Sequence, residues 1–167
     1  MERVMIIGCG GSGKSTLARQ LGEKTGLPVI HLDQIFWSPG NWRHLGKDAF
    51  DALLQQELTK PQWILDGNFD RTMTMRLEKC DTVIYLDYNR FVCIFSWLRR
   101  VIQNRGRTRA DMGPNCNERL DPEFAKWLWT FNKKYRKHYH ELLAQQRDKE
   151  IHIFQNRRQL RKFWDQL

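Results

Sequence analysis

Residues 4–26 read VMIIGCGGSGKSTLARQLGEKTG, and their reading decides the fold. Val4 to Ile7 form a short β-type run that ends in glycines. From Lys14 the composition turns helical and stops at Gly26, with Pro28 just beyond. Between strand and helix, Gly8 to Ser15 fits G-x-x-x-x-G-K-[ST], in the strand–turn–helix context that the pattern requires. Gly8, Gly10, Gly11 and Gly13, with Ser12 among them, let backbone N–H groups turn inward around phosphate oxygens. The helix N-terminus adds partial positive charge. Lys14 is placed to reach the β- and γ-phosphates, and the Ser15 hydroxyl to take a position on Mg²⁺, with Thr16 following in the same turn. The stretch implies a bound ATP with Mg²⁺. Cys9 inside the loop reads as a small residue whose thiol, where accessible, offers a reagent a way to block the nucleotide.

Outward from this loop, strand-like and helix-like runs alternate. Further strands are expected at VIHL (29–32), WILD (63–66), TVIYLD (82–87) and IHIF (151–154). Helices are expected at 47–60, over a short stretch near TMTMRLEKC (72–80), at 90–103, at 121–146 and in RRQLRKFWDQL (157–167). Asp121 suits an N-cap and Pro122 the first turn of the long helix. Such alternation specifies an α/β fold around a mostly parallel sheet, with ligands at the C-terminal ends of the strands.

The length of 167 residues fits one domain, 1–167, with a real core; 41% apolar residues, seven Trp and nine Phe exclude disorder. The net charge of +9 is uneven. Residues 1–89 hold 10 Lys and Arg against 11 Asp and Glu, whereas residues 90–167 hold 18 against 8. The second half therefore carries the field that attracts anions. The apolar run in MERVMIIG is too short for a signal peptide, and no stretch approaches the roughly 18 apolar residues of a membrane span. Cys9, Cys80, Cys93 and Cys116 share no metal-binding spacing, so reduced cysteines in a cytoplasmic protein, monomer or dimer, are expected.

A P-loop enzyme needs a carboxylate at the end of a neighbouring strand for the Mg²⁺ shell. Asp66 and Asp87 both end strands; Asp66 is favoured because Gly67 beside it allows close approach, while Asp87 also suits a helix cap. ILDGNFDRT (64–72) resembles the L-D-G-F-P-R-T stretch of the adenylate kinases. With the P-loop and an arginine-rich loop after the fourth strand, the chain resembles the nucleoside monophosphate kinase superfamily. HLDQIFWSPGNW (31–42), WILDGNFDRTM (63–73), DTVIYLDYNR (81–90) and RGRTRADMGPNCNER (105–119) together look like the adenylate-kinase-related topology modulation proteins (FlaR-type). The resemblance implies a three-layer P-loop fold with strand order 2-3-1-4-5. It makes Asp66 the Mg²⁺ ligand through water and Arg71 a clamp on an anionic acceptor. In this chain Arg71 is displaced by one residue from the adenylate kinase pattern, and the stretch that seats AMP is missing.

Asp33, just past strand two, stands where small-molecule kinases of the superfamily meet the acceptor hydroxyl; a carboxylate there can orient that hydroxyl and accept its proton. Trp37 and Trp42 flank a Pro-Gly turn and offer flat faces to an acceptor. Superfamily members carry a mobile lid after the fourth strand, and residues 104–120 occupy that place. Arg105, Arg107 and Arg109 are the lid candidates for the transferring phosphoryl group, Arg100 and Arg119 outer members, and Gly106 and Gly113 permit movement. The expected activity is phosphoryl transfer from ATP to a small acceptor. The other reading is nucleic-acid contact: Arg99 to Arg109, KKYRKHYH (133–140) and RRQLRKFW (157–164) interleave basic and aromatic residues, as backbone contact and base stacking require. A nucleotide-binding regulator with little catalysis is a third.

Overall fold

A computed structural model describes all residues, 1–167. The elements run β1 (Arg3–Gly8), α1 (Lys14–Thr25), β2 (Val29–His31), α2 (Leu32–Phe36), α3 (Lys47–Leu58), β3 (Trp63–Asp66), a 3-10 turn (Asp70–Thr72), α4 (Met73–Lys79), β4 (Thr82–Leu86), α5 (Arg90–Asn104), α6 (Pro122–Ala144), β5 (Glu150–Phe154) and α7 (Arg157–Trp164). The five strands form one parallel sheet in the order β2-β3-β1-β4-β5. Helices cover both faces, which is the architecture that the alternating sequence specifies.

The central strands explain their own composition. Val4 to Ile7 and Val83 to Leu86 are buried throughout, because helices cover both faces of a parallel sheet and leave no solvent side. β5 lies at the edge and is only half-buried; Phe163 of α7 packs on His152, with ring centroids 4.5 Å apart. Leu17, Ala18 and Leu21 recur at helical spacing on α1 and are buried in the same core. Asp121 caps α6, accepting from the Glu123 and Phe124 amides at 2.9 and 3.3 Å, with Pro122 in the first turn.

Most boundaries shift by a residue or two, and two of the shifts bear on the site. Strand two stops at His31, and Leu32 opens the five-residue helix α2, its side chain fully buried. This turn of helix carries Asp33 off the strand end and over the ligand side of the sheet. Strand four stops at Leu86, so Asp87 lies just beyond it. No helix is long and apolar enough to cross a membrane, and all four cysteines are free.

Candidate active site

The loop between β1 and α1 is held from three sides. Asn68, just past β3, accepts from the Gly8 amide at 2.9 Å and donates to the Gly8 carbonyl at 2.6 Å. The Gly11 backbone is left-handed, with φ +76°, and a β-carbon there would collide with the Cys93 carbonyl of α5. Gly10 lies against Phe124 and Leu128 of α6. The Lys14 ammonium donates back to the Cys9 carbonyl at 3.0 Å. Cys9 itself is buried, and the hydrogen bond with the Cys93 thiol, with burial second, pushes its pKa far up. The thiol therefore gives reagents no access, contrary to the opening that the sequence left for it.

The loop opens on a cavity of about 790 Å³. Gly10, Gly11, Gly13, Lys14, Ser15 and Thr16 line one end. Asp33 lines it from the first turn of α2, just past β2, and Asp66 from the end of β3. Asp66 is buried; its Oδ2 meets His31 Nδ1 at 2.8 Å, while Oδ1 has no hydrogen-bond partner. A buried carboxylate oxygen left unpaired, facing the same cavity as the Ser15 hydroxyl, fits the water shell of a Mg²⁺ ion. Asp33 has its pKa pushed up to about 6, first by burial and then by the charge on Asp66, with Lys14 and Arg109 opposing. Asp87 does not reach the cavity. It is buried and accepts from Arg136 Nε and His140 Nε2, both at 2.9 Å, so it serves the α6 side of the sheet.

The arginines separate into two groups. Arg100 and Arg109 line the cavity and are held by one buried carboxylate: Glu118 lies 2.9 Å from Arg100 Nη2 and 2.8 Å from Arg109 Nε. Arg109 also donates to Asp111 at 2.6 Å. Burial works against the Asp111 carboxylate, but Arg109 and then the Ser15 hydroxyl outweigh it and bring its pKa below the usual range. Arg99 and Arg119 also reach the cavity. Arg105 lines a neighbouring cleft instead, beside Trp42 and Glu118, and Arg107 is exposed and lines neither. Arg105 and Arg107 thus stand away from the P-loop end of the cavity, and a backbone bridge pairs Arg105 with Glu118.

Arg71 also lies elsewhere. It donates to both Asp51 oxygens, at 2.5 and 2.7 Å, and is largely exposed outside the cavity. Asn68 is tied to the P-loop, while Arg71, three residues on, faces Asp51 of α3. Gly113 is not free to act as a hinge: a β-carbon there would overlap the Trp37 carbonyl. Residues 37–42 pack along the 105–120 loop through Asn41 N–H to the Pro114 carbonyl, at 3.1 Å, and Trp42 N–H to Cys116 Sγ, at 3.3 Å.

Three residues escaped the sequence reading. Glu118 was an acid inside a basic loop, and that contrast was its only signal. His31, at the end of β2, holds the Asp66 carboxylate. Arg76, on the short helix α4, carried no sequence signal and is fully buried. It donates to the carbonyls of Gly67, Asn68 and Phe69, the first at 2.8 Å and the last at 3.2 Å. Burial brings its pKa down to about 10.

No protein-family model matches the chain, and no curated protein does. Solved structures do. Shikimate kinase from Bacteroides thetaiotaomicron superposes with a TM-score of 0.60 at 17% identity, over 99% of this chain and 95% of that one. Deoxyadenosine kinase from M. mycoides with bound dATP gives 0.54 at 19% identity, over 98% and 97%. The fold of this chain is that of the P-loop kinases.

Proposed function

We propose that the chain is a phosphotransferase that moves the γ-phosphoryl group of ATP to a small hydroxyl-bearing acceptor. The observation that carries this reading is the convergence on one cavity of the P-loop Lys14 and Ser15, the carboxylates Asp33 and Asp66, and the inward-turned Arg100 and Arg109. Gly8 to Thr16 would cradle the triphosphate. Ser15, and Asp66 through water, would hold Mg²⁺, which offsets phosphate charge when bound. Asp33 would orient the acceptor hydroxyl and take its proton. Arg109, braced by Glu118 and Asp111, would meet the charge on the transferring group, and residues 104–120 would exclude water as a lid. Kinases of this fold support the reading by analogy of architecture. The finer kinship with topology modulation proteins rests on the sequence blocks alone.

The inward placement of Arg100 and Arg109 favours this reading over nucleic-acid contact, for which they would have to face outward. Release of ADP from Mg-ATP, measured with a panel of small hydroxylated acceptors and with DNA, tests both. Stimulation by a small acceptor, lost in Lys14→Ala, is the expected result. Turnover that rises with DNA and falls steeply with salt would instead transfer the arginines to a nucleic-acid surface.

A further inference from the structure

The far end of the cavity narrows the acceptor. Beyond Asp33 its wall is made by Phe36, Trp37, Trp42 and Phe69. The rings touch in series: Trp42 to Trp37 at 5.5 Å between centroids, Trp37 to Phe36 at 4.9 Å, and Phe36 to Phe69 at 5.1 Å. All four are half-buried, so each keeps part of its surface for the cavity.

Two of them are held in strained backbone. Trp42 has φ +58° and Phe69 φ +34°, in the left-handed region that bulky residues avoid. Such strain survives only where the surroundings over-determine it, and it gathers at ligand sites. Here Arg76 grips the Phe69 carbonyl and the two before it, and Cys116 accepts from the Trp42 amide. The chain bears this strain at two residues that present rings to one cavity.

The polar groups at this end are mostly engaged. Arg71 is paired with Asp51 outside. The Asn68 amide is bound to Gly8, and the Gln34 amide donates to the Ala110 carbonyl. Arg119 lies over the Trp42 ring, 5.1 Å from its centroid, with Asp121 4.0 Å away. What this end offers is stacking area and one carboxylate; Arg71 is turned away to Asp51, and the Arg119 guanidinium lies on the Trp42 ring.

We propose that the aromatic end binds a nucleoside, an uncharged molecule whose flat base lies against Phe36, Trp37, Trp42 and Phe69 while a sugar hydroxyl meets Asp33. The proposal deepens the kinase reading and rests on it for the chemical step. In that step the sugar oxygen bonds to the γ-phosphorus of the nucleoside triphosphate. The bond from that phosphorus to the β–γ bridging oxygen breaks, and its electron pair leaves with the diphosphate. The hydroxyl proton passes to the ionised Asp33; nothing is oxidised or reduced.

Tryptophan fluorescence titration of the full-length chain tests the site. Saturating Mg²⁺ and a non-hydrolysable ATP analogue fill the donor end, and each common nucleoside is compared with its 5′-monophosphate and with shikimate. The expected result is saturable binding of at least one nucleoside, at least tenfold tighter than its monophosphate. Trp37→Leu weakens nucleoside binding tenfold or more, read by calorimetry, and shifts the Kd of the ATP analogue less than twofold. Preference for the monophosphate or for shikimate, or no binding by any nucleoside, overturns the proposal. Nucleoside binding without ADP release from Mg-ATP upholds the aromatic site and overturns the kinase reading. ADP release driven only by an acceptor without a flat ring upholds the kinase reading and overturns the nucleoside.

Discussion

Asp33 is held between burial, which favours its neutral form, and the base role proposed for it, which needs its charge. With a folded pKa of about 6 against the ordinary 3.8, it accepts a proton only when ionised. The kcat/KM for phosphoryl transfer is therefore expected to rise with pH through about 6 and level off above it. Stability runs the other way. Between the two values the folded chain binds more protons than the unfolded one, so this residue's contribution to stability falls as pH rises from about 4 to about 6. Asp33→Asn removes that dependence, seen in urea melts across the window, and lowers kcat by roughly 10²- to 10⁴-fold. A variant with unchanged turnover would remove Asp33 from the chemistry. None of this was legible from the residue itself: its position after strand two marked it, but burial and the neighbouring Asp66 set its pKa.

At the scale of elements, α5 and the 105–120 loop are joined through Glu118. Its carboxylate is buried between Arg100 and Arg109. Arg100 is already disfavoured as a cation, first by burial and then by Arg109 beside it, with Glu118 the main compensation. Removing that compensation leaves two half-buried guanidinium groups facing each other. Glu118→Ala is expected to cost about 3–5 kcal/mol, measured by chemical denaturation, the scale of breaking a buried pair on one side. Glu118→Gln keeps the shape and loses the charge, and is expected to lie between. Turnover falls in both, because Arg109 loses its brace. The sequence marked this segment as a basic loop in a lid position. Which arginines turn inward was decided by one acid 18 residues beyond Arg100, and by the tight packing of Gly113 and Pro114 on residues 37–42.

For the whole molecule, the free thiols report on the integrity of the core. Cys9, Cys80, Cys93 and Cys116 are all buried, although Cys9 belongs to the nucleotide loop. None is expected to react with a thiol reagent at neutral pH in the folded chain, and all four react together on unfolding, followed by absorbance against denaturant. Fast labelling of Cys9 in native buffer would show that the P-loop opens away from α5. Local pattern determined much of this protein. The strand, glycine loop and helix of residues 3–25, the five strands, the long helices and the P-loop end of the cavity follow from periodicity, glycine placement and caps, which act between residues near one another in the chain. The tertiary structure alone decided that Asn68 ties to Gly8, that Arg71 leaves the site for Asp51, that Arg76 is buried beneath the Phe69 loop, and that four aromatic rings meet beyond Asp33. These depend on burial, on charge compensation and on contacts across tens of residues, and no local spacing encodes such contacts because their energies arise only when the sheet brings the segments together.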